Sequence, residues 1–204
     1  MYHHYPLYIR VWHLLNALFF LILILTGLNM QFSNPDHPFI SLPVSVRMHN
    51  ISGIGLTISY LIFLIGNIIS GNGKNYIVRF RGLFKDIKLQ IRYYISRSWK
   101  KPEPPFPITS ERKFNPLQAI SYAKAMYIGI PLLFITGFGL MFPEIVIENI
   151  FSISGLLLTD LLHVAIGFIM SLFMFVHIYM STLGKTPASS FRAIITGWQQ
   201  VEKE

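Results

Sequence analysis

The 204-residue chain is 52% hydrophobic and only 13% charged, with a mean hydropathy of +0.50. This composition excludes an ordinary soluble domain, which carries about 25% charged residues, and indicates one integral membrane domain over residues 1–204. The formal charge of +8 does not indicate nucleic acid binding, because the cations cluster in one stretch instead of covering a soluble surface.

Four apolar runs are long enough to cross a bilayer, which takes about 20 residues per helix. They cover residues 9–30, 48–70, 117–142 and 154–183. Since open strands leave backbone groups unsatisfied in lipid, all four runs predict helices. The predicted fold class is therefore an all-α, four-helix transmembrane bundle. Pro131, inside the third run, predicts a kink there.

A basic insert, residues 74–113, separates the second span from the third. Eleven of the 17 cations lie in it: Lys74, Arg79, Arg81, Lys85, Lys88, Arg92, Arg97, Lys100, Lys101, Arg112 and Lys113. The positive-inside rule makes this insert cytoplasmic, and with four spans both termini are cytoplasmic too. Its interleaved apolar and cationic residues predict an amphipathic interfacial helix, with a solvated loop as the alternative. We expect a multi-pass protein surrounded by lipid in the bacterial inner membrane.

Four histidines inside the spans form two pairs matched in depth. His163 and His177 are fourteen residues apart, so about 3.9 turns place them on one helix face, roughly 21 Å apart along the axis. His13, at the cytoplasmic start of the first span, matches His177. His49, at the outer start of the second, matches His163. Because histidine in lipid usually marks a site and axial imidazoles commonly hold haem iron, the pattern predicts two bis-histidine haems.

Glycines and arginines near these histidines are further candidates for the same sites. Gly53 and Gly167 each lie four residues after an outer-pair histidine, on the same helix face, where a missing side chain leaves room for a flat macrocycle. Ordinary small-residue helix packing is the alternative. Arg10 and Arg47 are candidates for pairing haem propionates. Anchoring at the membrane interface is the alternative for both.

A metal site without porphyrin is the competing chemistry. It requires three or four converging ligands, whereas the histidine pairs lie at opposite depths with no carboxylate between them. The chain contains no cysteine, which excludes thiolate-bound iron–sulfur clusters, covalently attached c-type haem and disulfides within it. Any such centre must belong to a partner.

Several motifs give the chain a family resemblance over nearly its whole length. They are Arg10-Val11-Trp12-His13, Arg47-Met48-His49, Lys113-Phe114-Asn115-Pro116-Leu117-Gln118, the His163 and His177 spacing, Gly184-Lys185-Thr186-Pro187 and Ile195-Thr196-Gly197-Trp198. With these motifs the chain resembles the di-haem cytochrome b family that anchors formate dehydrogenases, nickel–iron hydrogenases and thiosulfate-reductase-type enzymes. The resemblance implies two haem b groups, with the histidine pairs already matched by depth as their axial ligands.

The resemblance also implies a quinone site near the inner haem. In that family menaquinone or a related quinone binds through the asparagine and histidine that match Asn115 and His177. Asn115 is also a typical helix N-cap, and the two roles are compatible. Leu117 replaces a glycine that lines the quinone site in some members, so the chain departs from the family there.

The function implied by the resemblance is an electron-transfer subunit of a quinone-linked oxidoreductase. It would conduct electrons between menaquinone and a periplasmic redox subunit of the iron–sulfur, molybdopterin, hydrogenase or multihaem c type. One alternative is a stand-alone quinone oxidoreductase of the cytochrome b561 or superoxide-oxidase type, which needs no partner. Another is a haem-free scaffold or transporter with structural histidines, which a colourless preparation would indicate.

Overall fold

The computed structural model describes residues 2–3, 5–34, 36–71, 73, 77–78, 81–100, 104–107, 109, 112, 114–183 and 186–199. The helices are α1 (Leu7–Phe32), α2 (Leu42–Ser70), α3 (Leu83–Lys100), α4 (Pro116–Lys124), α5 (Ile130–Met141), α6 (Gly155–Ser181) and α7 (Ser189–Thr196). Two antiparallel strand pairs join β1 (Tyr2–His3) to β4 (Trp198–Gln199) and β2 (Asn149–Ile150) to β3 (Ile153–Ser154). Lys74 and Lys113, at the ends of the predicted insert, lie outside the described residues, as do Gly184 and Lys185.

Four helical segments are long and apolar enough to cross a membrane, which confirms the predicted helical bundle. They are Leu7–Phe32, Leu42–Ser70, Pro116–Met141 and Gly155–Ser181. The predicted start of the second span at residue 48 was wrong, because α2 already begins at Leu42. Pro43 stands in its first turn, where the missing N–H needs no helical partner.

The third span changes helix type just before Pro131. Residues Ala125–Gly129 form a π-helical turn between α4 and α5, in which the Ala125 carbonyl accepts from the Ile130 N–H five residues later. In that register Pro131, which has no N–H, leaves the Met126 carbonyl without a helical donor. Tyr60 on α2 supplies the donor, since its hydroxyl donates to this carbonyl at 2.8 Å. At the predicted kink the chain thus has a π-helical turn that a neighbouring helix stabilises.

Replacing Tyr60 by phenylalanine is expected to destabilise the bundle. Tyr60 is 7% exposed, so the variant leaves the Met126 carbonyl buried without its donor, at a cost of roughly 1–3 kcal/mol. Thermal unfolding of the purified protein in detergent should report a lower Tm. Tyr179→Phe, at an exposed position of α6, is the control and should melt like the wild type. Equal melting temperatures for both variants would contradict this role of Tyr60.

A compact cluster of buried side chains joins the four spans. It consists of Ile9, Tyr60, Phe63, Ala125, Met126, Ile130, Ile166 and Met170. Trp12 of α1 stacks on Phe63 of α2 with ring centroids 4.0 Å apart. Gly129 in the π-helical turn makes room for Met170, because a Cβ at that position would collide with the methionine side chain. This packing fixes α6 against the irregular part of the third span.

The insert forms one continuous helix, α3, over Leu83–Lys100, as predicted. Its apolar side chains Phe84 and Ile95 are exposed. Tyr94 ties α3 to the third span, because its hydroxyl accepts a hydrogen bond from the Asn115 side-chain amide at 2.9 Å. α3 is therefore held beside the start of α4, and its exposed apolar side chains suit a helix lying in the membrane interface.

The two terminal segments meet at one end of the bundle. β1 pairs with β4, directly after α7. Arg10 of α1 donates through Nε to the Ile194 carbonyl at 3.3 Å and through Nη2 to the Ile195 carbonyl. These carbonyls lie at the end of α7, where backbone acceptors lack helical partners and the helix dipole favours a cation. Neither α7 nor the strand pairs were predicted from the sequence.

The two outer loops are fastened to the spans. Asn29 near the end of α1 donates to the Ile40 carbonyl and to the Ser45 hydroxyl, both at 2.8 Å, and accepts from the Ile40 N–H at 3.2 Å. The β2–β3 hairpin is anchored at its base, where the Gly155 N–H donates to the Glu148 carbonyl at 2.9 Å. Both loops therefore present a defined surface.

Candidate functional site

The structure brings the four span histidines together as two pairs. The ring centroids of His13 on α1 and His177 on α6 are 6.1 Å apart. Those of His49 on α2 and His163 on α6 are 6.2 Å apart. These are the partners that depth in the bilayer predicts, and α6 contributes one imidazole to each pair.

The spacing within each pair fits one iron between the two rings. A metal–imidazole bond is about 2 Å long and the ring centre lies roughly 1 Å beyond the nitrogen, so two axial imidazoles have centroids roughly 6 Å apart. In neither pair do the two rings hydrogen-bond to each other. The observed separations therefore match a shared metal and not a direct polar contact.

The set of possible donors also bears on which kind of metal centre the residues fit. Among the residues that the structure describes, no three or more His, Cys, Asp or Glu side chains are grouped to hold a metal ion. A zinc site requires three or four protein ligands, whereas a porphyrin supplies four nitrogens and needs only axial partners. Two histidines at each level thus fit haem iron.

Two buried threonines orient the outer imidazoles. Thr26 Oγ1 on α1 lies 2.9 Å from His49 Nδ1. Thr136 Oγ1 on α5 lies 2.8 Å from His163 Nδ1. Each hydroxyl donates its single proton to the carbonyl four residues earlier in its own helix, at 2.6 and 2.7 Å respectively. The oxygen must therefore accept from the imidazole, which puts the ring proton on Nδ1 and leaves Nε2 free for a metal.

A glycine follows each of these threonines and lets its helix approach the ring. A Cβ at Gly27 would lie 3.5 Å from His49 Cε1, and one at Gly137 would lie 3.3 Å from His163 Cε1. A Thr-Gly step on the preceding helix therefore contacts each outer imidazole. The two sides of the outer site are built alike, by α1 against α2 and by α5 against α6.

The inner pair has fewer hydrogen bonds. The Tyr122 hydroxyl lies 3.2 Å from His177 Nδ1, and Phe173 stacks against the same ring at 6.0 Å and 20°. His13 Nδ1 is buried without a hydrogen-bond partner, as is Asn16 Oδ1 three residues later in α1. The protein therefore fixes the orientation of His13 less firmly than that of either outer histidine.

Open space lies beside the outer pair. A Cβ at Gly167 would meet no atom within 4 Å, and one at Gly53 would meet only Leu23 Cδ2, at 4.0 Å. Close helix packing, the alternative explanation for these glycines, requires a neighbour in contact with them. The open space at Gly167 instead suits the edge of a flat macrocycle, whereas a Cβ at Gly53 would contact Leu23 of α1, as helix packing requires.

Asn115 is a helix cap placed near the inner pair. Its Oδ1 accepts from the Gln118 N–H at 2.9 Å while Gln118 Oε1 accepts from the Asn115 N–H at 3.2 Å, which confirms the predicted cap. One amide hydrogen goes to Tyr94, so one remains for a ligand. The adjacent Phe114 packs edge-on against Tyr122 with centroids 5.1 Å apart. Tyr122 in turn reaches the inner histidine pair.

The two arginines have different surroundings. Arg10 is bound to the end of α7 through two of its nitrogens. Arg47 is exposed, two residues before His49. Pairing with haem propionates stays a prediction for both.

Three contacts of the histidines were not predicted from the sequence, namely Thr26, Thr136 and Tyr122. One usable signal was present, because a Thr-Gly dipeptide stands near the outer end of both the first and the third span. The helix that follows each Thr-Gly dipeptide contains an outer-pair histidine. This repetition could have suggested that both threonines contact a histidine in the same way. Tyr122 had no comparable signal.

Comparisons with known proteins agree with this geometry. The sequence matches the family of prokaryotic cytochrome b561 over residues 4–197. It is also similar to "Putative cytochrome YdhU" of Escherichia coli (strain K12), with 33% identity over 192 residues that cover 94% of this chain and 72% of that protein. The family match includes all four paired histidines. The chain therefore belongs to the prokaryotic cytochrome b561 family, whose members are haem b-binding membrane proteins of electron transfer.

Proposed function

We propose that this cytochrome is a di-haem b electron conduit of the bacterial inner membrane, an anchor subunit that connects a quinone pool to a redox partner outside. The observation that carries the proposal is the pair of nearly equal ring separations, 6.1 and 6.2 Å. His13 and His177 hold the inner haem. His49 and His163 hold the outer one.

The chain provides the geometry for transfer across the bilayer. Each haem, when bound, supplies a one-electron carrier. The two histidines of α6 lie roughly 21 Å apart along the helix axis, a large part of the hydrocarbon core, which is about 30 Å thick. His13 with His177 and His49 with His163 would each hold one haem iron from two sides, and iron held in this way would carry electrons without an open position for oxygen or small ligands.

A quinone, menaquinone or a related compound, binds beside the inner pair. Support comes from Asn115, whose side-chain amide donates one hydrogen to Tyr94 and has a second hydrogen for a ligand. It also comes from Tyr122, whose hydroxyl lies 3.2 Å from His177 Nδ1. Both are at the cytoplasmic end of the third span, so quinone protons exchange with the cytoplasm. Leu117 stands where some family members have a glycine that lines the quinone site. The quinone pose in this chain therefore differs from the pose in those members.

The partner is a periplasmic redox subunit of the iron–sulfur, molybdopterin, hydrogenase or multihaem c type. This chain has no cysteine for such centres. Its outer loops carry Phe39 and Phe151, which are 95% and 97% exposed, and aromatic side chains are enriched at protein interfaces. Asn29 and the β2–β3 hairpin hold these loops in place, so the partner meets a preformed surface.

The haem count tests the proposal directly. A pyridine haemochromogen assay on the purified protein should give about two haem b groups per chain, one per histidine pair. Titration of the reduced-minus-oxidised spectrum should resolve two one-electron components. A single haem per chain, or a single component, would overturn the conduit.

A further inference from the structure

We infer that Thr26 and Thr136 are positioning residues that lower the reduction potential of the outer haem through hydrogen bonds from its axial imidazoles. The inference rests on the proposed ligation by His49 and His163. Neither threonine touches the iron site itself, so both act through a histidine.

The direction of each hydrogen bond follows from where the single hydroxyl proton of the threonine goes. Thr26 and Thr136 each have one hydroxyl proton, and each donates it to a backbone carbonyl of its own helix. Their oxygens therefore accept the Nδ1 protons of His49 and His163. A chain of two hydrogen bonds thus runs from each outer imidazole to the backbone. This arrangement fixes Nε2 as the coordinating atom of both rings.

Burial makes these hydrogen bonds effective. Thr26 is 1% exposed and Thr136 is 4% exposed, so water does not compete for the imidazole protons. A hydrogen bond in such a low-dielectric setting is electrostatically stronger than one in water.

An imidazole that donates its N–H becomes a stronger base at the other nitrogen. A stronger axial donor stabilises ferric iron more than ferrous iron, so one-electron reduction becomes less favourable. The proton stays on Nδ1 in both oxidation states, and no bond is broken. Two such hydrogen bonds at the outer site therefore lower its potential.

The inner pair lacks a matching arrangement. His177 Nδ1 has the Tyr122 hydroxyl at the longer distance of 3.2 Å, and His13 Nδ1 has no hydrogen-bond partner. The same effect is therefore weaker at the inner site. A change at either threonine should move the outer component alone.

Valine variants of the two threonines test the inference. Loss of the partner of a metal ligand typically changes metal affinity 10–100-fold. If each hydroxyl gives a roughly tenfold preference for ferric haem, Thr26→Val and Thr136→Val should each raise the outer potential by about 59 mV. The measurement is a potentiometric titration, with the outer component identified as the one missing in His49→Ala.

Serine variants and a threonine one turn before His163 provide the controls. Thr26→Ser and Thr136→Ser keep the hydroxyl and should titrate like the wild type. Thr159 makes the same kind of bond to the carbonyl four residues earlier, Gly155 at 2.9 Å, but reaches no imidazole nitrogen. Thr159→Val should therefore leave both components unchanged. Loss of the outer haem in the valine variants but not in the serine variants would support the positioning role of the two hydroxyls.

Three results would overturn it: unchanged potentials in both valine variants, equal shifts of both components, or serine variants that shift like valine. These results can be distinguished from a failure of the proposed function. If the proposed function fails, the wild type itself contains fewer than two haems per chain. A wild type with two components, together with valine variants whose potentials are unchanged, would contradict the threonine inference and leave the proposed function intact.

Discussion

His49→Ala and His177→Ala are each expected to lose one haem and keep the other, so that haem content falls from about two to about one per chain. Each variant removes one of the two axial ligands of a single pair, and the other pair lies roughly 21 Å away along α6. The remaining haem should differ between the variants, because His49 belongs to the outer pair and His177 to the inner one.

The extent of haem reduction by a menaquinol analogue in detergent should also distinguish the two variants. His49→Ala keeps the inner haem beside the proposed quinone site and should still be reduced. His177→Ala lacks that haem and should be reduced poorly. His37→Ala, at an exposed position of the first outer loop, is the matched control and should retain both haems. Loss of the same spectral component in both histidine variants would contradict the pairing.

Gly167→Leu is expected to exclude the outer haem while the bundle still folds. The space at Gly167 is open, since a Cβ there would have no atom within 4 Å, so a leucine fits the apoprotein but occupies volume that the proposed macrocycle needs. Overpacking typically costs about 1–3 kcal/mol, which lowers haem affinity at this site roughly 5–150-fold. The inner component should keep its amplitude in the reduced-minus-oxidised spectrum.

Ala165→Leu provides the comparison for this variant. Ala165 lies two residues earlier on α6, on a different face of the helix, and is exposed, so a larger apolar residue there should leave both haems bound. Normal outer-haem content in Gly167→Leu would show that the macrocycle does not reach this glycine.

The features that follow from hydropathy and position were predictable from the sequence. Span lengths came from apolar runs, which the four helical segments confirm. The side of each loop, inferred from the positions of Lys and Arg, stays a prediction. Depth alone then matched His13 with His177 and His49 with His163, because a helix crossing a bilayer fixes the height of each residue. The helix within the insert was predictable as well, since its apolar and cationic residues alternate along one stretch.

The features that depend on contacts between helices were not predictable. Thr26 reads as an ordinary apolar-span residue until α2 brings His49 to its hydroxyl. Pro131 predicts an irregular helix, but the π-helical form depends on Tyr60, 71 positions earlier in the chain, supplying a donor. The role of Arg10 at the end of α7 likewise arises only when the two chain ends meet. A single sequence contains no local pattern for such pairings.

The placement of one histidine of each pair on α6 has a consequence for biogenesis. α6 follows the other three spans in the chain, so neither histidine pair is complete until α6 has been synthesised and inserted. A nascent protein halted before His163 would contain three spans and would offer each proposed haem only a single imidazole. On the proposed ligation, chains that lack α6 should therefore bind neither haem and be colourless, so that no half-loaded redox centre forms in the membrane.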